Sequence, residues 1–373
     1  MSLVLTWALW AALLSALAGL LWVLYRTPPL VTLTRVLPPS GFQGTRVRLD
    51  LQVLVRSRLP MRYHVEDALP RSVVPDLLPV FSGELLGTRE HSWETTLTLN
   101  SRGVYDWPVV TVRWADPLGL FWRQVTLSVP TRLEVFPGTH GLMLPDLLRP
   151  LLSEGHLSRT LGLDDPISLR GAREYQTGDS PGRIHWRLSA RTGTLTVREL
   201  ERTAASSLTV YLDTTFGGST YTESAVRLAA SLVREAVSMD LPMAVASQAG
   251  ITVAGRGADA QHAALLHLAR LQPEAGPPVI PATRPGGNLI ILTATAGPAL
   301  VEQAMRARAT ASRVVIVAMP EGFYLEPGEK PRRQWAGAPE TIRELERQAG
   351  VLAGAGVLVY VLRGNQSVLR LGA

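Results

Sequence analysis

The stretch LTVYLDTTFGGSTYTESAVRLAASLVREAVSMDLPMAVASQAGITVA, residues 208–254, decides the fold class of the C-terminal half. It opens on a largely apolar run, Leu208 to Leu212, then sets apolar residues at helical spacing from Thr222 to Ser238. Met243 to Ala246 is a second apolar run, and Ile251 to Ala254 a candidate extra strand. A strand buried on both faces has no polar side to show. Short continuous apolar runs alternating with amphipathic helices therefore predict a parallel sheet covered on both faces. The alternation continues with helices over Ala258–Leu271, Ala299–Ala311 and Glu340–Gly350, and strands over Leu289–Thr293, Val314–Ala318 and Val357–Leu362. Residues 207–373 are expected to form one α/β domain.

Upstream the pattern changes twice. Leu3 to Tyr25 is uncharged and largely apolar, and at about 1.5 Å per residue such a helix spans roughly 35 Å, enough for a bilayer core. Trp7 and Trp10 lie towards one end and Trp22 and Tyr25 at the other, where amphipathic rings favour the headgroup interface. No Lys or Arg precedes this helix, whereas Arg26, Arg35, Arg46 and Arg48 follow it. The positive-inside tendency then predicts a single-pass protein of the cell membrane, with its bulk in the cytoplasm. A cleaved signal peptide would use Ala16-Leu17-Ala18, but a basic n-region is missing and the apolar stretch runs past that site. Residues 1–27 are read as a transmembrane anchor.

From Val31 to Phe136 the period drops to two, clearest where Val47, Leu49, Leu51, Val53 and Val55 alternate with Arg46, Arg48, Asp50 and Gln52. Short strands punctuated by Pro, Gly, Asn and Asp predict an antiparallel β-sandwich over residues 28–140. Residues 141–206 follow as a connector and an arginine-rich segment. At 373 residues with 46% hydrophobic content, a multidomain chain is the natural expectation. Cysteine is absent, which excludes disulfides, thiolate metal sites and cysteine nucleophiles. The net charge of +6 comes from arginine, Lys330 being the only lysine, and no nucleic-acid partner is expected from it.

Ligands of open α/β sheets bind beyond the carboxyl ends of the strands, and Asp213 stands there after the first strand. Asp213-Thr214-Thr215-Phe216-Gly217 resembles the Asp-x-Ser-x-Ser metal site of von Willebrand factor A domains, which are Rossmann-like. Asp213 and Thr215 could supply two oxygens to Mg²⁺, a cation that needs several in near-octahedral array. Gly217 has no side chain where the second serine belongs, and Thr293-Ala294-Thr295-Ala296-Gly297 contains no carboxylate. The alternative is an Asp213 that bonds its neighbouring loops. No cofactor is required by this reading.

The segment SLRGAREYQTGDSPGRIHWRLSARTGTLTVRELER, residues 168–202, is dense in arginine beside carboxylates. Guanidinium forks match carboxylates bidentately, so it could build an internal ion-pair lattice or a site for an acidic partner. It resembles the signature R-E-Y-x-x-G-D-x-x-R-x-I-H-W-x-x-S-A-R of the bacterial family called domain of unknown function 58. Arg173, Glu174, Tyr175, Gly178, Asp179, Arg183, Ile184, His185, Trp186, Ser189, Ala190 and Arg191 meet it. Asp116-Pro117-Leu118-Gly119-Leu120-Phe121 and Leu133-Glu134-Val135-Phe136-Pro137 are similar to two further family segments. The resemblance implies a membrane segment, a β domain and a von Willebrand A-like domain. It also implies a partner, a MoxR-type AAA+ ATPase, and an adaptor or scaffold role in assembly or activation rather than an enzyme. Members often carry two closely spaced membrane helices; one is legible here. Within the signature, Arg183 and Arg191 are expected to orient the segment and Trp186 to pack it on the α/β domain.

The enzymatic alternatives are weaker on chemistry. Gly178-Asp179-Ser180-Pro181-Gly182 matches a nucleophile elbow, but Pro181 has no N–H for an oxyanion hole. No G-K-[ST] phosphate loop surrounds Lys330, and His262 and His267 lie off the i, i+4 face of helical metal pairs. A metal-assisted hydrolase using Asp179, His185 and Asp213 remains the alternative reading. Sequence leaves the oligomeric state and the client open.

Overall fold

The computed structural model describes residues 2–139, 169–176, 184–200, 207–274, 276–320 and 340–362. The chain divides into two compact units, Met1–Gly138 and Thr139–Ala373.

The first unit begins with α1 (Ser2–Leu24), whose span Leu3–Leu24 has a mean hydropathy of 2.0 and is long and apolar enough to cross a membrane. Its last turn is fastened to the strands that follow. An α-helix leaves its final carbonyls without internal partners. Here the Arg123 guanidinium donates to the Trp22 carbonyl at 3.0 Å, and Trp114 Nε1 donates to the Tyr25 carbonyl at 3.0 Å. Tyr25 itself is buried, and its hydroxyl donates to the Pro60 carbonyl.

Seven strands follow: β1 (Leu30–Val36), β2 (Ser40–Phe42), β3 (Arg46–Glu66), β4 (Val73–Pro75), β5 (Val80–Leu99), β6 (Gly103–Ala115) and β7 (Arg123–Phe136). They join one hydrogen-bonded sheet in the order β2-β7-β6-β3-β5-β4, with β1 on β3. Every pair is antiparallel except β2 with β7. The alternation read in β3 holds: Leu49, Leu51, Val53 and Val55 are each 0% exposed. The register of β3 on β5 slips between Ser57 and Met61. On its other edge, β3 pairs with β1 before that irregularity and with β6 after it.

One charged pair lies in this core. Arg35 donates to Asp67 through Nε at 2.8 Å and Nη2 at 2.5 Å, and both side chains are fully buried. Its remaining donors reach the carbonyls of Trp107 and Val129, and the guanidinium stacks 4.5 Å from the Trp107 ring centroid. Trp107 Nε1 completes the network with a bond to Asp67 at 2.9 Å. A buried charge persists only when its donors and acceptors are met in this way.

The second unit holds a two-stranded antiparallel sheet, β8 (Leu169–Glu174) with β9 (Thr196–Leu200), and the short helix α2 (Trp186–Thr192) between them in sequence. The α/β alternation follows as β10 (Leu208–Leu212), α3 (Ser219–Ser238), β11 (Met243–Ser247), β12 (Gly250–Ile251), α4 (Gly257–Arg270), β13 (Asn288–Thr293), α5 (Pro298–Ala307), β14 (Arg313–Ala318), α6 (Glu340–Gly354) and β15 (Val357–Val361). The sheet order is β12-β11-β10-β13-β14-β15, parallel throughout except for β12 at its edge. Every residue of β10, β11 and β13 is buried, which is why these runs carry no alternation. Leu300 and Ala304 of α5 and Ile342 and Leu345 of α6 pack into one core with Tyr211, Leu289, Ile291, Val314 and Ile316. The expected extra strand over Ile251–Ala254 shortens to β12, and α5 stops at Ala307 rather than Ala311.

Candidate functional site

Three loops leave the carboxyl ends of neighbouring parallel strands and meet at Asp213. This residue follows β10, is 2% exposed, and its N–H donates to the Leu292 carbonyl of β13 at 2.8 Å. The carboxylate accepts from three donors: Thr293 Oγ1 at 2.8 Å on Oδ2, and Gln248 Nε2 and Thr215 N, each at 3.1 Å, on Oδ1. The Gln248 amide also donates to Thr215 Oγ1 at 2.6 Å, while its oxygen accepts from the Thr214 hydroxyl at 2.8 Å. Tyr221 in the first turn of α3 donates to the Asp213 carbonyl at 2.8 Å.

This arrangement does not fit Mg²⁺ at Asp213 and Thr215. A cation needs lone pairs, and the Gln248 N–H points at both of the oxygens that would face it. Nor can the missing serine be added at Gly217. Its φ is +151°, and a Cβ there would lie 2.3 Å from Tyr221 Cδ1 and 3.2 Å from Ala294 Cβ. Among the described residues no three His, Asp or Glu side chains gather as a metal cluster. The carboxylate instead ties together the loops after β10, β11 and β13.

Sequence reading missed Gln248 and Thr293, although the rule that strand carboxyl ends line the crevice places both of them. It also passed over His267 as an ordinary helix residue. His267 Nε2 lies 3.1 Å from Ser247 Oγ, and burial lowers its pKa from the ordinary 6.5. Burial likewise pushes the Tyr211 hydroxyl up to about 12, and this group accepts the Val279 N–H at 2.9 Å.

The signature segment is built around α2. His185 is its N-cap, with Nδ1 accepting from Leu188 N at 3.2 Å, and Gly193 closes it at φ 73°, its N–H donating to the Ser189 carbonyl. A glycine suits that left-handed position because it has no Cβ to clash. Ser189 is buried and accepts from Thr196 N at 2.8 Å, while His185 N donates to the Thr196 carbonyl at 2.8 Å. Tyr175 N reaches the Leu195 carbonyl at 2.8 Å, and Arg173 donates to the Glu174 carbonyl at 3.1 Å. Ser189 and His185 thus staple α2 to β9. Gly178, Asp179 and Arg183 lie outside the described residues, as does the connector, and with them much of the expected ion-pair lattice and the orienting role of Arg183.

Trp186 corrects an expectation. The residue is 65% exposed rather than packed on the α/β domain. The short helix turns Ser189 inward, which leaves Trp186, Arg187 and Arg191 exposed on its outer side.

Residues 171–284 match the family model described as "Protein of unknown function DUF58". The chain carries a DUF58 domain. The matched residues run from β8 through the signature helix and the loops after β10 and β11 to the segment before β13. No curated protein matches the chain. A protein of unknown function from Porphyromonas gingivalis W83 is similar at 16% identity, covering 29% of this chain and 48% of its own, with a TM-score of 0.22. The chain thus spans about half the length of that relative. The CARDB domain of a Pyrococcus furiosus protein in complex with di-metal ions is similar at 13% identity, over 29% of this chain and 93% of that one, with a TM-score of 0.19. A C. elegans MSP family member is similar at 9% identity, over 29% of this chain and 97% of that one, with a TM-score of 0.17.

Proposed function

We propose that this DUF58 protein is a membrane-anchored, non-enzymatic adaptor that presents α2 to a protein partner of the MoxR-type AAA+ ATPase class. The observation that carries the reading is the outer side of α2, where Trp186, Arg187 and Arg191 are exposed on a helix whose cap and buried serine fix it in place. Trp and Arg dominate protein-binding hot spots, and a preorganised helix loses little freedom on binding. In the strand-end crevice, where such folds bind small ligands, the Asp213 carboxylate is already engaged by Thr293 and Gln248. The reading therefore assigns the protein no resident cofactor and no reaction of its own.

The finer architecture belongs to the same proposal. The second unit is von Willebrand A-like in its strand order and its short antiparallel edge strand β12. The first unit is sandwich-like, because β3 exchanges β1 for β6 as its partner past the register shift and Arg35 of β1 reaches the backbones of β6 and β7. The anchor α1 crosses the cell membrane once with its N-terminus outside and both units in the cytoplasm, since its basic flank is on the C-terminal side.

Affinity purification of the tagged full chain from detergent-solubilised membranes, with and without ATP, tests the adaptor role. A AAA+ ATPase recovered in a nucleotide-dependent way, and lost from Trp186→Ala at unchanged thermal stability, is the expected result. Recovery of the protein alone in both states would overturn it.

A further inference from the structure

We infer that the loop between β6 and β7, Pro117–Trp122, dips its apolar side chains into the lipid headgroup region beside the point where α1 leaves the bilayer. The inference rests on α1 spanning the membrane. Both stems of the loop hold the end of that helix. Trp114 and Arg123 face each other across the β6–β7 ladder. Each donates to a carbonyl at the end of α1, and the Arg123 guanidinium also lies 5.1 Å from the Trp22 ring centroid. The loop therefore emerges at the helix exit, level with an aromatic residue of the kind that marks the interface.

The tip suits that place. Leu118, Leu120 and Trp122 are 65%, 59% and 52% exposed, and the segment from Pro117 to Trp122 has no charge. A single exposed leucine needs no explanation, but three large apolar side chains on one short loop form a patch that water disfavours. The loop is also prepared for a medium that offers few hydrogen bonds. Asp116, fully buried, accepts Leu118 N at 2.9 Å and Phe121 N at 2.8 Å, and its carbonyl accepts Gly119 N at 2.9 Å. Backbone N–H groups satisfied internally avoid the cost of several kcal/mol that an unpaired group meets in lipid. Gly119 permits the turn at φ +75°, with Arg62 Nη1 3.1 Å from where its Cβ would stand. Behind the tip, Arg113 and Arg123 line a groove of about 560 Å³ together with Trp122. Guanidinium groups at that depth attract anionic headgroups, and their apolar stems tolerate the boundary.

The absence of cysteine makes depth measurable. Leu120→Cys, Leu14→Cys in α1 and Asn100→Cys at the far end of β5 are each labelled with an environment-sensitive fluorophore. The full chains are reconstituted in phosphatidylcholine–phosphatidylglycerol vesicles with nitroxide lipids quenching at shallow or deep positions. The expected result is loss of Leu120 emission with shallow nitroxides, loss of Leu14 emission with deep ones, and no change at Asn100. Quenching at Leu14 without quenching at Leu120 would overturn the loop inference and leave the anchor standing. Quenching at neither would remove the anchor and the inference together. A Leu120 signal that answers to protein dilution and not to nitroxide would place a second copy on the loop, and the inference would fall.

Discussion

Replacing Asp213 by alanine tests the loop-tie reading of the strand-end crevice most directly. The substitution removes a 2% exposed carboxylate that accepts from Thr215 N, Gln248 Nε2 and Thr293 Oγ1. Hydrogen bonds to charged groups contribute about 1.5–3 kcal/mol each, but the three losses do not add in full. Gln248 keeps its bond to Thr215 Oγ1, and Thr293 Oγ1 retains the Thr295 carbonyl at 2.9 Å as an alternative acceptor. A net loss of about 3 kcal/mol follows, which at roughly 2–4 °C per kcal/mol for a unit of this size lowers Tm by about 6–12 °C. Thermal unfolding of the detergent-solubilised chain, followed by circular dichroism with and without millimolar Mg²⁺, is the assay. A cation site occupied at a hundred times its Kd would add about 2.7 kcal/mol to the wild type alone. The expected outcome is a large drop on Asp213→Ala and no Mg²⁺ effect in either protein. Mg²⁺ stabilisation of the wild type that disappears in the variant would refute the reasoning, since Gln248 would then have to swing away from the carboxylate. So would a Tm unmoved by the substitution.

Three further outcomes are expected. Arg35→Ala strands the Asp67 carboxylate in the first unit's core and should cost about 3–5 kcal/mol in chemical denaturation, whereas Arg35→Met with Asp67→Leu should recover much of it; equal loss in both would show that packing rather than charge is at stake. Gly217→Ser, which would complete a metal-site motif on paper, should lower Tm and confer no Mg²⁺ binding by calorimetry, because its Cβ meets Tyr221 at 2.3 Å. His267 is held below its ordinary 6.5 by burial, so the folded state resists a proton that the unfolded state accepts. Its contribution is complete above pH 6.5 and is lost as pH falls beneath it; His267→Gln should flatten the Tm–pH slope there, and an unchanged slope would assign acid sensitivity elsewhere.

The elements were legible where burial is extreme. Leu208–Leu212 and Leu289–Thr293 read as strands because both faces are covered, and Val47 to Val55 because one face is. The signature was legible as a string of residue types, and it found the family. What it did not convey was the use of each residue. Ser189 and His185 have the chemistry of a nucleophile and a base, yet one is a backbone staple and the other a helix cap, because their nearest partners are main-chain groups of Thr196 and Leu188.

The sequence by itself determined an apolar N-terminal helix, a β-rich stretch, an α/β alternation and the family to which the central residues belong, since these follow from composition and period along the chain. Only the tertiary structure decided what surrounds each polar side chain. Gln248 is remote from Asp213 in sequence yet fills the place a cation would need, and Trp186 faces outward while Tyr25 is buried beside the strands. Periodicity reports which face of an element is buried. Which groups from distant elements meet there depends on sheet order and loop closure, and those are properties of the folded chain.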